Sequence, residues 1–157
     1  MKIKLLQIGK TSENYIQKGI EEYSNRIKNY IPFEIETIPY LKNSNSFSPD
    51  LLKQKEGELI LHKVKKEDIL ILLDENGKTY HSKGFSNYLQ QQMNTGNKQL
   101  IFLIGGAFGF SEDVYKRANG KIALSAMTFS HQLIRIVFME QLYRGFTIIH
   151  HHPYHHE

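Results

Sequence analysis

Three groups of residues in this 157-residue chain have types and spacing suited to chemistry. Ile104-Gly105-Gly106-Ala107-Phe108-Gly109 joins an apolar run to a helical pattern. Glycine there lets backbone approach a ligand closely and tolerates positive φ, at the edge where open α/β sheets bind ligands. A tight turn with no ligand would ask for the same residues. His131 and Arg135 stand four residues apart at the start of a long helical pattern, so they share a face. Such a pair can help position an anionic group; the plainer alternative is a helix start whose polar residues meet solvent. The third group is His150-His151-His152-Pro153-Tyr154-His155-His156-Glu157. No accompanying Asp, Glu or Cys pattern completes a metal site there, so no metal is expected.

Several chemistries are excluded. The chain has no cysteine, which removes disulfides, thiolate nucleophiles and cysteine-type zinc sites. It has no G-x-x-x-x-G-K-[ST] phosphate loop, and no G-x-G-x-x-G followed by a suitably placed acid. No G-x-S-x-G elbow places a hydrolase nucleophile. No apolar run approaches the roughly 18–20 residues that span a bilayer. The N-terminus alternates charged with apolar residues and lacks a signal peptide's apolar core. A cytoplasmic protein without membrane attachment is expected. The formal net charge of +4 leans toward a polyanionic partner, although a solvated face explains Lys42, Lys53, Lys55, Lys63, Lys65 and Lys66 about as well.

The elements that must position these groups alternate between strand and helix patterns. Ile3–Ile8 reads as a strand ended by Gly9. Ser12 and Glu13 open a helix with apolar residues at Ile16, Ile20, Tyr23 and Ile27. Phe33–Ile38 alternates as a strand, Lys42–Pro49 reads as a loop, and Asp50 is the expected cap of a helix to His62. Ile69–Leu73 and Leu100–Ile104 are continuous apolar runs, as strands covered on both faces require. Asp74-Glu75-Asn76-Gly77-Lys78 reads as a turn. A helix follows over Ser82–Met93, a short one from Ser111, a strand over Lys121–Leu124, and a long helix from His131 to Ile149. That last helix is apolar around most of its circumference, so burial on several sides is expected. The alternation predicts one α/β domain over residues 1–157, with a mostly parallel sheet and helices on both faces.

Several linked segments carry a family resemblance over essentially the whole length. They include Met1–Gly9, Glu56-Gly57-Glu58, Ile71–Asp74 with Gly77-Lys78, Leu103–Gly109 and Leu124–Phe129. His131–Arg135, Glu140–Arg144 and Pro153-Tyr154-His155 complete the series. In this order and spacing the chain resembles the ribosomal RNA large subunit methyltransferase H family of the SPOUT superfamily. The resemblance implies a C-terminal deep trefoil knot and S-adenosylmethionine held by three loops. Carried over residue by residue, those contacts fall on Leu73, on Gly105 and Gly106, and on Leu124, Ser125, Ala126, Met127, Thr128 and Phe129. It further implies a homodimer that methylates N3 of a pseudouridine in 23S rRNA, in large subunits or whole ribosomes. Many relatives have proline where this chain has Ser130; serine keeps the turn but gives up the fixed φ.

Given that resemblance, His131 and Arg135 would lie beside the methyl-donor loop and help position the nucleotide or its phosphates. Tyr154 can stack on a flipped base, and His155 can donate to RNA or shuttle a proton. These four are the expected catalytic or substrate-side residues. Two rival readings remain: a non-catalytic RNA- or ribosome-binding module, and a SPOUT methyltransferase of another RNA such as tRNA.

Overall fold

The computed structural model describes residues 1–156. Along them run β1 (Lys2–Ile8), α1 (Asn14–Ile27), β2 (Phe33–Ile38), α2 (Pro49–Lys63) and β3 (Ile69–Thr79). They are followed by α3 (Ser82–Asn94), β4 (Gln99–Ile104), α4 (Glu112–Arg117), β5 (Gly120–Ala123) and α5 (Leu133–Ile149). The strands form one sheet in the order β2-β1-β4-β3-β5, and every neighbouring pair is parallel. All strands therefore end on the same edge, where their connecting loops can converge.

Strand side chains alternate between two cores, as the period of two demands. Ile3, Leu5, Leu100, Phe102 and Ile71 join α1, α3 and α5 on one face. Leu6, Ile8, Ile101, Leu103, Leu70 and Leu72 join α2 and α4 on the other. The continuous apolar runs at Ile69–Leu73 and Leu100–Ile104 follow from this double coverage. Helix α5 packs against both α1 and α3, and its Phe138, Met139, Leu142 and Phe146 are wholly buried. Each such side chain contributes roughly 2–3 kcal/mol of burial. That enclosure accounts for the apolar circumference of the helix.

Local differences from the sequence expectation have simple causes. Helix α2 starts two residues earlier than an Asp50 cap would allow, because Ser48 Oγ accepts the Leu51 N–H at 3.2 Å and Pro49 takes the first helical position. Asp50 instead sits in the first turn, where a carboxylate suits the helix dipole. Ser12 does not cap α1; Glu13 occupies that position, and the Ser12 N–H donates to Gln132 Oε1 at 2.8 Å. The Lys42–Pro49 loop contains a single 3₁₀ turn over Ser44–Ser46. Helix α5 begins at Leu133, two residues later than expected, with Ser130 Oγ accepting the Leu133 N–H at 3.1 Å. Ser130 thus satisfies a backbone donor that a proline ring there could not. Among the described residues, no helix is long and apolar enough to cross a membrane.

Candidate functional site

Three loops meet at the C-terminal edge of the sheet and enclose a cavity of about 570 Å³. The first comes from β3. This strand continues to Thr79 rather than turning at Asp74, but its pairing jumps register on β5 between Leu73 and Lys78. Residues 74–77 are therefore extruded as a bulge, which places Leu73, Asp74, Glu75 and Asn76 on the cavity wall. Gly77 sits against the β5 backbone so closely that a Cβ would lie 2.6 Å from Ile122.

The second loop follows β4. Gly106 and Gly109 bridge each other, with the Gly109 N–H donating to Gly106 O at 3.2 Å and Gly109 at φ +82°. A Cβ on Gly105 would come within 2.8 Å of the Phe110 ring. One on Gly106 would meet Glu56 Oε2 at 2.7 Å. Glycine is needed at both because packing behind the loop leaves room only for hydrogen, while its inner side faces the cavity. Glu56 itself is buried on α2 without a hydrogen-bond or ion-pair partner among the described residues, and burial raises its pKa above the usual carboxylate range.

The third loop follows β5. Ser125 Oγ accepts the Met127 N–H at 2.9 Å, and Thr128 Oγ1 donates to Glu75 Oε2 at 3.0 Å, tying this loop to the first. Leu124, Ser125, Met127, Thr128, Phe129, Ser130 and His131 all line the cavity. Together with Leu73, Gly105 and Gly106, this gathers the sequence-selected binding residues on one cavity; Ala126 alone does not line it.

The four expected catalytic residues separate. His131 lines the cavity, and its Nε2 lies 3.1 Å from Tyr40 Oη. Burial first, and the Arg135 charge second, lower its pKa below the ordinary imidazole value, so it is held toward the neutral form. Arg135 is fully buried and does not line the cavity. Its Nη1 donates to Gly9 O and Thr11 Oγ1, its Nη2 to Ile8 O, and its Nε to His131 O. The expectation that Arg135 reaches a phosphate is corrected: its donors are spent on the buried carbonyls of Ile8 and Gly9 at the end of β1, on the Thr11 hydroxyl and on the His131 carbonyl.

Tyr154 and His155 also lie outside the cavity lining of their own chain. Tyr154 packs edge-on to Tyr143, with ring centroids 4.7 Å apart, and its hydroxyl donates to Glu140 Oε1 at 3.1 Å. The Arg144 guanidinium carbon stands 4.8 Å from the Tyr154 ring centroid, and Nη1 donates to His155 Nδ1 at 3.3 Å. Because a guanidinium can only donate, His155 Nδ1 is the acceptor and Nε2 carries the hydrogen. Burial, then the contacts with Tyr23 and Glu140, raise the Tyr154 pKa, so this phenol stays protonated at neutral pH. His150 and His152 pack on Tyr30. Glu157, the last residue of the tail motif, lies outside the described residues.

Sequence reasoning missed Asp74 and Glu75, read as turn residues, along with Phe110, Tyr115 and the Tyr40 partner of His131. A usable signal was present for the acids: they follow a buried strand directly, on the same sheet edge as the glycine loop.

The arrangement is a three-loop ligand pocket with glycine backbone on one wall, carboxylates on another and a neutral imidazole at the helix end. A family model described as "Predicted SPOUT methyltransferase" matches residues 1–155. The protein named "Ribosomal RNA large subunit methyltransferase H" from Flavobacterium johnsoniae is 56% identical over 157 residues, covering 100% of both chains. Its namesake from Christiangramia forsetii is 56% identical over 156 residues, covering 99% of each. Among solved structures, the SpoU methyltransferase AviRb of Streptomyces viridochromogenes in complex with AdoMet aligns over 91% of this chain and 57% of that one. Its TM-score of 0.46 and 13% identity make the likeness too distant to bear on function. The matches that span the sequence from end to end agree, and the chain belongs to the SPOUT methyltransferases, in the family of ribosomal RNA large subunit methyltransferase H.

Proposed function

We propose that the chain, a single SPOUT domain, transfers a methyl group from S-adenosylmethionine to N3 of a pseudouridine in 23S rRNA, as a cytoplasmic homodimer acting on assembled ribosomes. The observation that carries this reading is the three-loop cavity of about 570 Å³ at the C-terminal strand edge. Its size suits a nucleoside-sized ligand, since small-molecule pockets run from about 300 to 1,000 Å³. The residues fit this donor. Gly105 and Gly106 offer backbone unobstructed by side chains, Leu73, Leu124, Ser125 and Met127–Phe129 flank it, and Asp74 and Glu75 suit a cationic group. When bound, the donor supplies an electrophilic methyl on a sulfonium and is left as a neutral thioether.

The chain's own residues must align the acceptor, exclude water and manage the acceptor's proton. The uracil N3–H is a weak acid, so a nearby base or positive charge assists its loss. His131, held toward neutrality at the cavity edge, can accept a proton or a hydrogen bond. Arg135 fixes the His131 backbone carbonyl and so acts as a positioning residue.

The close passage of Gly77 against β5 and the Thr128–Glu75 tie both support interlaced loops, and with them the trefoil knot. Two observations support a dimer. Met127 and Phe108, both exposed apolar residues, lie on the cavity rim, and the Tyr154–His155 tail lies off its own pocket. A substrate-side role for that tail requires the pocket of a second copy.

Methyl transfer from labelled S-adenosylmethionine to whole ribosomes, large subunits and naked rRNA, mapped by mass spectrometry, tests the proposal. Label on N3 of a pseudouridine, seen with ribosomal particles and not with naked RNA, is the expected result. Label on tRNA alone would transfer the activity to another substrate. Donor binding with no label on any RNA would favour a non-catalytic module.

A further inference from the structure

Resting on the reading that this pocket holds S-adenosylmethionine, we propose that Asp74 and Glu75 make it discriminate by charge, favouring the sulfonium donor over the neutral thioether left after transfer.

The cavity lining contains two carboxylates and no lysine or arginine, although the chain as a whole carries a formal charge of +4. The pocket therefore has a sign opposite to that of the chain. His131, the remaining ionisable base on the wall, is held toward neutrality by burial and by Arg135 behind it. Lys121 stands over the Tyr115 ring, 5.5 Å from its centroid, but does not line the cavity.

Both carboxylates are held in place by neutral donors, which orient them without cancelling their charge. Asp74 Oδ2 accepts from the Tyr115 hydroxyl, and Glu75 Oε2 accepts from Thr128 Oγ1 at 3.0 Å. The field they set up is felt by the neighbouring phenol. Burial comes first, followed by the Asp74 hydrogen bond and then the charges of Asp74 and Glu75, and together they push the Tyr115 pKa up to about 12. A concave wall of low polarisability strengthens such a field relative to bulk water.

Donor and product differ by a methyl group and one positive charge. The methyl is small, so shape discriminates weakly, whereas a fixed negative wall acts on the charge directly. The expected consequence is a pocket that retains the donor and releases the product. The same wall disfavours phosphate-bearing nucleotides of similar size.

Calorimetric titration of the full chain with S-adenosylmethionine and with S-adenosylhomocysteine reads this without any turnover. The wild type should bind the donor roughly tenfold more tightly than the thioether, with the ratio shrinking at high salt. Glu75→Gln should reduce the ratio to about two- to threefold by weakening the donor alone, and Asp74→Asn should act in the same sense. Thr128→Val removes the tie but keeps the charge, so it should weaken both ligands alike. Equal affinities in the wild type, or a Glu75→Gln variant that weakens both ligands as Thr128→Val does, would overturn the charge argument and leave the donor site standing. Failure of the folded wild type to bind either ligand would overturn the donor reading itself, and this inference with it.

Discussion

Arg135 Nη2 donates to the carbonyl of Ile8 at 2.7 Å, joining the first turn of α5 to the last residue of β1, 127 positions earlier in the chain. The parallel sheet leaves the carbonyls at the end of β1 without strand partners, and one buried guanidinium answers Ile8, Gly9 and Thr11 together. Because Nε also holds the His131 carbonyl, the same side chain couples the sheet edge to the cavity wall. Arg135→Ala should lower stability by about 3 kcal/mol or more, since it leaves several buried acceptors unpaired and opens a cavity. Chemical denaturation checks this, and a loss below about 1 kcal/mol would contradict the buried network.

Gly106 lies on the loop after β4, with Glu56 packed behind it. Gly106→Ala places a methyl 2.7 Å from the Glu56 carboxylate, so either this buried side-chain end or the loop must shift. S-adenosylmethionine affinity should fall at least tenfold while the fold is kept, because the loop is local and the change small. An Ala variant titrating like the wild type would show that the loop has slack there.

Glu56 gives a pH-dependent stability of definite sign. Burial raises its folded pKa above the ordinary value near 4.5, so the protonated form is the one the fold prefers. Its stabilising contribution is complete below that ordinary value and is lost as pH rises through the folded pKa. Glu56→Gln should therefore be more stable than wild type at neutral pH, and the gap should close as the solution is acidified below about 4.5. Denaturation midpoints measured across pH 4–8 for both chains decide it; a gap constant with pH would remove Glu56 titration as the cause.

Tyr154 and His155 should matter to transfer and not to donor binding. Tyr154→Ala or His155→Ala should lower methylation tenfold or more, with S-adenosylmethionine affinity within about twofold of wild type. Near-normal turnover in both variants would end the substrate-side role of the tail. Tyr154→Phe separates stacking from the hydroxyl, since it keeps the ring on Tyr143 and removes the bond to Glu140.

Much of the fold was legible because the central strands carry continuous apolar runs, the helices repeat apolar residues at helical spacing, and α4 starts at an ordinary cap, Ser111. Gly105 and Gly106 were legible as a ligand turn from their place between a buried strand and a helix, whereas Leu73 and the Leu124–Phe129 segment were legible as pocket residues only through the resemblance, which supplied the pairing of loops far apart in sequence. The Asp74–Lys78 segment was misjudged because its composition signals a turn, whereas the structure extrudes it from a strand by a register jump set by β5. Arg135 shows the limit of helical spacing. A four-residue interval puts it on the His131 face, but whether that face meets water or unpaired carbonyls depends on where β1 ends. The Ser48–Pro49 start of α2 was present in the sequence and obscured by its loop-like neighbours.

The strand order has a consequence for biosynthesis. β1 is made first, yet its second neighbour begins at Gln99, and the pairing runs from Lys2↔Gln99 to Gln7↔Ile104. The sheet's centre therefore stays open until about two-thirds of the chain has been made. Until then Leu5 and Leu6 have β2 as their only strand neighbour, and the nascent N-terminal half presents an apolar edge. This core is thus closed only once β4 has joined β1, after the segments that lie between them in the sequence have been made.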